Sequence, residues 1–220
     1  MNIFPWLAAA VVLVIGLSLI LNYIKGKRKR AMVLTAVAVG LELEEYGPES
    51  KLLEDTGLPF FVDGRNSVGK YLLRFPEMDG VKAYYFDFSC LLGSGKTQRK
   101  RQSTVALYEC SKGAFPDFHL SAAGDIPDEA EGLDPANMAG YKGFPPGVKL
   151  FGRDQAALQK LFTPELAASF SAHPGWSAQG SVRSLVVYRG FALIDPLKYK
   201  DFIVEAGTLA FAIAQHGGAV

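Results

Sequence analysis

The first 24 residues contain no charged side chain, and residues 3–21 form one run of apolar or small side chains. A helix needs about 20 such residues to cross about 30 Å of hydrocarbon. A basic segment follows directly, with five cations in six positions: Lys25, Lys27, Arg28, Lys29 and Arg30. Because cations concentrate on the cytoplasmic side of a membrane segment, this pattern predicts a single-pass transmembrane helix at residues 1–24, with the N-terminus outside and the C-terminus inside.

A cleaved secretory signal is the alternative interpretation of this segment. Such signals carry positive charge before the apolar run and small residues at a cleavage site after it. Here no Lys or Arg precedes the run, Ala8 and Ala10 lie near its beginning, and basic residues follow it. The sequence therefore favours an uncleaved signal anchor.

Helical spacing continues beyond the basic segment. Met32, Val33, Ala36 and Val37 recur at helical intervals before Gly40, which predicts a basic stalk helix over residues 25–40. Three strand-like runs come later, at residues 70–75, 81–90 and 104–110, and a turn signal at 76–80 joins the first two. They predict an antiparallel meander in which residues 91–103 form a long, polar and basic connection.

The second half of the chain begins with an acidic segment rich in Pro and Gly, residues 125–146. Its composition and lack of periodicity predict a mobile surface loop. Asp154 and Thr163 are each placed to cap a helix, and Pro164 suits the first position of the second one. Two helices are therefore predicted after the loop.

Strand-like residues 184–188 and 191–194 flank Arg189 and Gly190, which predicts a hairpin. A final helix is predicted after Asp195 and Pro196, with one apolar stripe facing the core. Strands first and a mixture of elements later predict an α+β fold class. The expected organisation is the transmembrane helix, the stalk helix, and one cytoplasmic domain over residues 41–220 with an antiparallel sheet and packed helices.

Charge separates the basic segment from the rest of the chain. The chain has 23 Lys and Arg and 22 Asp and Glu, but residues 1–30 hold five of the cations and no acid. The remaining 18 cations against 22 acids make the domain acidic, which argues against a nucleic-acid partner. The two cysteines, Cys90 and Cys110, are too few for a disulfide framework and are predicted to be reduced, small residues in the core or on strands.

Residues 93–97, Gly-Ser-Gly-Lys-Thr, resemble part of a phosphate-binding P-loop. That motif requires a glycine five positions before Gly95, where this chain has Cys90. The residues after Thr97 also lack the apolar stripe of a P-loop helix. The string is therefore predicted to be a glycine-bearing turn between two strands.

The same connection carries a second group of cations, Lys96, Arg99, Lys100 and Arg101. Each cation close to an anionic membrane contributes about 1 kcal/mol of attraction. This group and the five cations at 25–30 are therefore candidate contacts for anionic lipid, and the alternative is a solvated loop.

No metal, cofactor or catalytic residue is assigned from the sequence. The three histidines are far apart and none has a second ligand at metal-binding spacing. Asp87 interrupts an aromatic run, and alternation places it with Tyr85 and Ser89, opposite Tyr84, Phe86, Phe88 and Cys90. We expect a solvated or ion-paired carboxylate there, with a catalytic acid as the alternative.

Several short motifs occur in a fixed order: Phe86-Asp87-Phe88, Gly93-Ser94-Gly95-Lys96, Thr104-Val105, and Phe115-Pro116 followed by Phe118 and Leu120. In this order they resemble a group of bacterial inner-membrane proteins with one N-terminal membrane helix. The resemblance implies a bacterial inner-membrane location and supplies no activity, cofactor or catalytic residue.

Three functions are consistent with these features. The first is a non-catalytic interaction or sensing domain at the cytoplasmic face, whose partners are the lipid bilayer and a protein of the membrane or cytoplasm. The second is a membrane-bound hydrolase with a site formed from Asp87, His119 or the region of Lys96. The third is an anionic-lipid or envelope-stress factor that uses both basic segments.

Overall fold

The structure, a computed structural model, describes residues 26–111, 115–122 and 132–217. These residues form one sheet with the strands β1 (Leu43–Tyr46), β2 (Arg65–Arg74), β3 (Val81–Leu92), β4 (Arg99–Cys110), β5 (Phe115–Ser121), β6 (Asp134–Pro135), β7 (Lys149–Gly152), β8 (Ser177–Val182) and β9 (Ser184–Tyr188). The order across the sheet is β1-β2-β3-β4-β9-β8-β5-β7-β6. Every neighbouring pair is antiparallel.

Helices cover both faces of this sheet. They are α1 (26–38), α2 (Ser50–Asp55), α3 (Pro59–Val62), α4 (Gln155–Leu161), α5 (Pro164–Ala172) and α6 (Tyr199–Gly217). The larger core lies between the sheet and α1, α4, α5 and α6, whereas α2 and α3 enclose a smaller core on the opposite face. We call the face covered by α1, α4, α5 and α6 the α6 face, and the face covered by α2 and α3 the α3 face.

The predicted fold class is corrected by the structure. A transmembrane helix was expected at residues 1–24, which lie outside the described residues, and none of the described helices has the length and apolar character that a membrane crossing requires. That assignment rested on the length of the apolar run and on the basic segment that follows it. The transmembrane, single-pass and signal-anchor prediction is therefore wrong as a description of this fold, which is α+β on one nine-stranded antiparallel sheet.

The predicted meander is confirmed by strands β2, β3 and β4, which are consecutive neighbours. Alternation along β3 is also confirmed, since Tyr84, Phe86 and Phe88 lie in the core of the α3 face and Tyr85 lies in the core of the α6 face. Both cysteines are free, buried and on strands.

The prediction of a long connection at residues 91–103 is wrong. Strand β3 continues to Leu92 and β4 begins at Arg99, with the two residues paired across the strands. Only residues 93–98 connect them, in a turn where Gly93 and Gly95 have φ angles of 76° and 56°. The glycine-bearing turn is thus confirmed, and the polar residues that suggested a loop lie on the end of a strand.

Helices α4 and α5 begin at the positions predicted from the sequence. The Asp154 carboxylate accepts hydrogen bonds from the N–H groups of Ala156 and Ala157 at the start of α4. The Thr163 hydroxyl accepts one from Leu166 N–H at the start of α5. Both caps satisfy N–H groups that the helices themselves leave without partners.

The prediction of a hairpin at Arg189 and Gly190 is wrong. Strand β9 pairs with β8, which precedes it, and the chain turns at Val182, whose φ angle is 49°. After β9, the Ala192 carbonyl accepts a hydrogen bond from Thr104 N–H of β4. Residues 191–194 therefore lie against β4 instead of returning along β9.

The acidic residues 125–131 of the predicted loop lie outside the described residues. Within the described part of 125–146, β6 pairs with β7. A single helical turn follows at Met138–Gly140, where the Asn137 side chain accepts a hydrogen bond from Ala139 N–H.

Candidate functional site

Asp87 lies in the middle of β3 and accepts hydrogen bonds from two elements, α1 and β4. Arg28 of α1 donates to both of its carboxylate oxygens, from Nε at 2.7 Å and from Nη2 at 2.9 Å. The Thr104 hydroxyl of β4 donates to the same carboxylate at 2.8 Å and accepts a hydrogen bond from Ile194 N–H. Arg28 Nη1 also donates to the Ile194 carbonyl, so this network holds α1 and residues 191–194 against the sheet.

The chemistry of Asp87 follows from these bonds. The carboxylate is buried and both oxygens accept hydrogen bonds from an arginine, a bidentate pairing that is stronger than hydrogen bonds between neutral groups. Beside it, burial and the negative charge of Asp87 raise the pKa of the Tyr199 phenol well above its ordinary value. Asp87 therefore acts as the anchor of α1, with its charge satisfied by Arg28.

A cavity of about 250 Å³ opens beside this ion pair. Arg28 of the first basic segment and Lys100 of the second both line it, together with Lys70 of β2. The structure thus brings together one member of each basic segment although they are separated by about 70 residues of chain. Asp87 is the single carboxylate among the described lining residues, so positive charge is in excess among them.

The remaining predicted lipid contacts are dispersed. Lys25 lies outside the described residues, and Lys27, Arg30, Lys96 and Arg99 are exposed. Lys29 forms an ion pair of 2.5 Å with Glu45. The five described side chains of this set are exposed, and none of them lines the cavity beside Asp87.

Arg101 differs from the other cations because it is partly buried on the α3 face. Its guanidinium lies 4.5 Å from the ring centroid of Phe60 and 5.4 Å from that of Phe191, and it donates to the Phe60 carbonyl. Such stacking is a structural use of arginine. Arg101 consequently faces the opposite side of the sheet from Lys100.

Asp87 and His119, two groups named for the alternative hydrolase site, are not brought together in the structure. His119 lies 3.3 Å from the Tyr188 hydroxyl, in the core of the α3 face, whereas Asp87 is directed to the α6 face. Burial, and to a lesser extent the charge of Arg101, lowers the pKa of His119 to about 4. Among the described residues no cluster of His, Cys, Asp and Glu has the geometry of a metal site.

A second cavity, an apolar cleft of about 230 Å³, lies between α6 and the opposite end of β3 and β4. Its wall on α6 is formed by small residues, Gly207, Ala210 and Ala214, and its wall on the sheet includes Val81 and Tyr108. The Tyr108 and Tyr85 hydroxyls are 2.8 Å apart and hydrogen-bond each other. Burial raises the pKa of both phenols, so they stay neutral.

The rim of this apolar cleft carries large exposed side chains. Met78 and Phe211 line the cleft and are 66% and 56% exposed. Sequence reasoning missed the cleft because it assigned the apolar stripe of α6 to the core. The available signal was the spacing of Gly207, Ala210 and Ala214, three small residues on one face of a helix.

No protein-family model matches the chain, and no curated protein matches it. Among solved structures, the chain is similar to the crystal structure of the mycobacterial trehalose monomycolate transport factor A. The TM-score is 0.62 at 10% sequence identity, and the match covers 85% of this chain and 94% of that chain. At this identity the similarity concerns the fold. The resemblance to the bacterial inner-membrane group, and the location that it implies, stay predictions.

Proposed function

We propose that this protein is a non-catalytic lipid-binding domain that holds one end of an acyl chain in the apolar cleft between α6 and the sheet. The observation that carries the proposal is the cleft itself, which is lined largely by apolar side chains and opens between the exposed Met78 and Phe211. Exposed apolar side chains gathered around a concave site are typical of binding surfaces.

The polar groups of the cleft are compatible with an apolar ligand. Its one charged lining residue among those described, Asp79, is exposed to solvent, and the buried polar groups are phenols. A buried hydroxyl without a partner favours a polar ligand, because leaving it unpaired costs free energy. Tyr85 and Tyr108 satisfy each other, and Gly207 leaves space over them, since a Cβ there would lie 3.8 Å and 4.0 Å from the two hydroxyls. The floor of the cleft therefore offers apolar contact without an unmet hydrogen bond.

The size of the cleft limits what it holds. Its volume of about 230 Å³ is below the range of roughly 300–1,000 Å³ in which whole drug-sized ligands are enclosed. The cleft therefore fits the end of a chain, with the headgroup outside. Each methylene transferred into it contributes about 0.8 kcal/mol, so chain length determines affinity.

The comparison with solved structures supports the lipid class of ligand. A protein named for the transport of trehalose monomycolate has this fold over most of both chains. In this interpretation the fold presents a lipid-binding cleft and contributes no catalytic group.

The experiment uses a photoactivatable monoacylglycerol, whose uncharged headgroup avoids the basic cavity. The full chain is crosslinked with this probe and the modified peptides are identified by mass spectrometry. We expect adducts on the peptides that contain Met78, Tyr108 and Ala210. Adducts confined to peptides without any residue of the cleft would contradict the proposal.

A matched pair of variants tests the same point. Gly207→Leu places a side chain in the cleft, whereas Thr208→Leu adds a similar side chain at the next, exposed position of α6. We expect Gly207→Leu to lower cleft adducts at least fivefold and Thr208→Leu to leave them within twofold of the unsubstituted chain. Equal labelling of all three proteins would overturn the assignment.

A further inference from the structure

We propose that the basic cavity between α1 and strands β2, β3 and β4 is a binding site for a phosphate group. The cavity is a different site from the apolar cleft. It lies near Asp87 and Ser89 of β3, whereas the cleft lies near Val81 at the start of the same strand.

The strand register directs the polar side chains of this site to one side. Lys70 is the cross-strand partner of Asp87, and Gln102 is the partner of Ser89. Directly paired residues of antiparallel strands have side chains on the same face, and Lys100 shares that face with Gln102 by alternation. This end of the sheet therefore presents two lysines and two neutral polar groups to the cavity on the α6 face.

The charges of the cavity are not balanced by the part of the chain that the structure describes. Both oxygens of Asp87 are bound by Arg28. Neither Lys70 nor Lys100 has an ion-pair partner among the described residues. The site thus has two uncompensated ammonium groups beside a guanidinium, a set of donors that suits a phosphate monoester or diester.

Arg28 retains hydrogen-bonding capacity for such a ligand. A guanidinium has five N–H groups, and the structure uses three of them, two on Asp87 and one on the Ile194 carbonyl. One N–H therefore remains on each terminal nitrogen of a side chain that lines the cavity. Asp87 fixes the orientation of this group, so its role at the site is to position Arg28.

The backbone of β2 gives a second, independent indication. Tyr71 lines the cavity with a φ angle of 56°, in the left-handed region that bulky residues rarely adopt. The register shifts between Lys70 and Leu73, and a β-bulge of this kind changes the direction of a side chain. The bulge allows the successive residues Lys70 and Tyr71 both to line the cavity, where regular alternation would direct them to opposite faces.

The phosphate has two possible sources, a lipid headgroup and a soluble phosphate. The full chain is titrated by calorimetry with inorganic phosphate and, separately, with dihexanoyl phosphatidylglycerol below its micelle concentration. Binding of both at this site, with the lipid at least fivefold tighter, supports a headgroup source. Tighter binding of inorganic phosphate supports a soluble source.

The variant Lys70→Gln/Lys100→Gln removes the two uncompensated charges, and both positions are exposed. The control Lys51→Gln/Lys142→Gln makes the same charge change at exposed positions that do not line the cavity. We expect the first double variant to weaken binding of the tighter probe at least tenfold and the control to change it less than twofold. Equal affinity of both double variants, or no binding of either probe by the unsubstituted chain, overturns the proposal. Because the cleft probe is uncharged, its crosslinking should be unaffected by Lys70→Gln/Lys100→Gln.

Discussion

Arg28 and Asp87 are 59 residues apart in the chain and form a two-bond ion pair between α1 and the centre of the sheet. The side chains are 20% and 7% exposed, respectively, so solvent screens the pair only in part. Thr104 donates a further hydrogen bond to Asp87, and Arg28 donates one to the Ile194 carbonyl. This relationship explains how the basic segment, which the sequence suggested as a lipid contact, also fixes the first described helix to the domain.

The first prediction concerns the stability that this pair provides. Arg28→Ala should lower the free energy of unfolding by about 3 kcal/mol, because it leaves the Asp87 carboxylate buried without its counter-ion. Urea denaturation followed by circular dichroism measures the change. Lys29→Ala is the control, since the neighbouring Lys29–Glu45 pair is exposed and such pairs contribute little.

A double-mutant cycle separates the ion pair from the general effect of shortening Arg28. In the Asp87→Asn background, Arg28→Ala should cost at least about 1 kcal/mol less than in the unsubstituted chain, because the buried charge is already absent. The same cost in both backgrounds would show that Arg28 stabilises the domain by packing alone.

The second prediction tests a close approach within the sheet. Gly180 of β8 is the cross-strand partner of Phe118, and a Cβ at Gly180 would lie only 2.9 Å from Cδ1 and 3.0 Å from Cζ of that ring. The ring packs edge-on against Phe162 at a centroid distance of 5.1 Å, so it has little room to move. Gly180→Ala should therefore destabilise the domain by about 1–3 kcal/mol.

Gly140 provides the matched control for that substitution. It is exposed and a Cβ there would meet no atom within 4 Å. Gly140→Ala should change the free energy of unfolding by less than about 0.5 kcal/mol, measured by the same urea titration. Equal stability of the two variants would mean that the Phe118 ring adjusts without cost.

The sequence predicted strand alternation, helix starts and one turn, because each of these depends on residues close together in the chain. Side-chain alternation along β3 assigned Phe86 and Asp87 to opposite faces, and the caps at Asp154 and Thr163 marked two helix starts, because each depends on residues only a few positions apart. The turn at residues 93–97 was recognised for the same reason. In contrast, polarity failed to mark the start of β4 at Arg99, since Arg99 and Lys100 lie beyond the part of β4 that pairs with β9 and are exposed.

The candidate sites could not be predicted in this way because they depend on distant contacts. Arg28, Lys70 and Lys100 meet through the order of β2, β3 and β4 and the position of α1. The apolar cleft depends on how far α6 stands from β4, which the sequence of either element does not specify. Hydropathy at residues 1–24 likewise describes the composition of a segment and does not show what that segment packs against. It therefore could not establish the fold class.

The last prediction follows from the buried histidine on the α3 face. Burial lowers the pKa of His119 from an ordinary 6.5 to about 4, so between these values the unfolded chain binds a proton that the folded chain does not. Stability from this group is complete above pH 6.5 and falls as the pH falls towards 4, by about 3 kcal/mol at the lower limit. Urea unfolding is measured at pH 7.5 and pH 4.5. The free energy of unfolding should fall between these two pH values by about 2–3 kcal/mol more in the unsubstituted chain than in His119→Gln. The control is His216→Gln, which replaces a histidine on the partly exposed last turn of α6 in the same way. Parallel pH dependence in the His119→Gln variant and the unsubstituted chain would instead assign the acid sensitivity to the carboxylates that both proteins share.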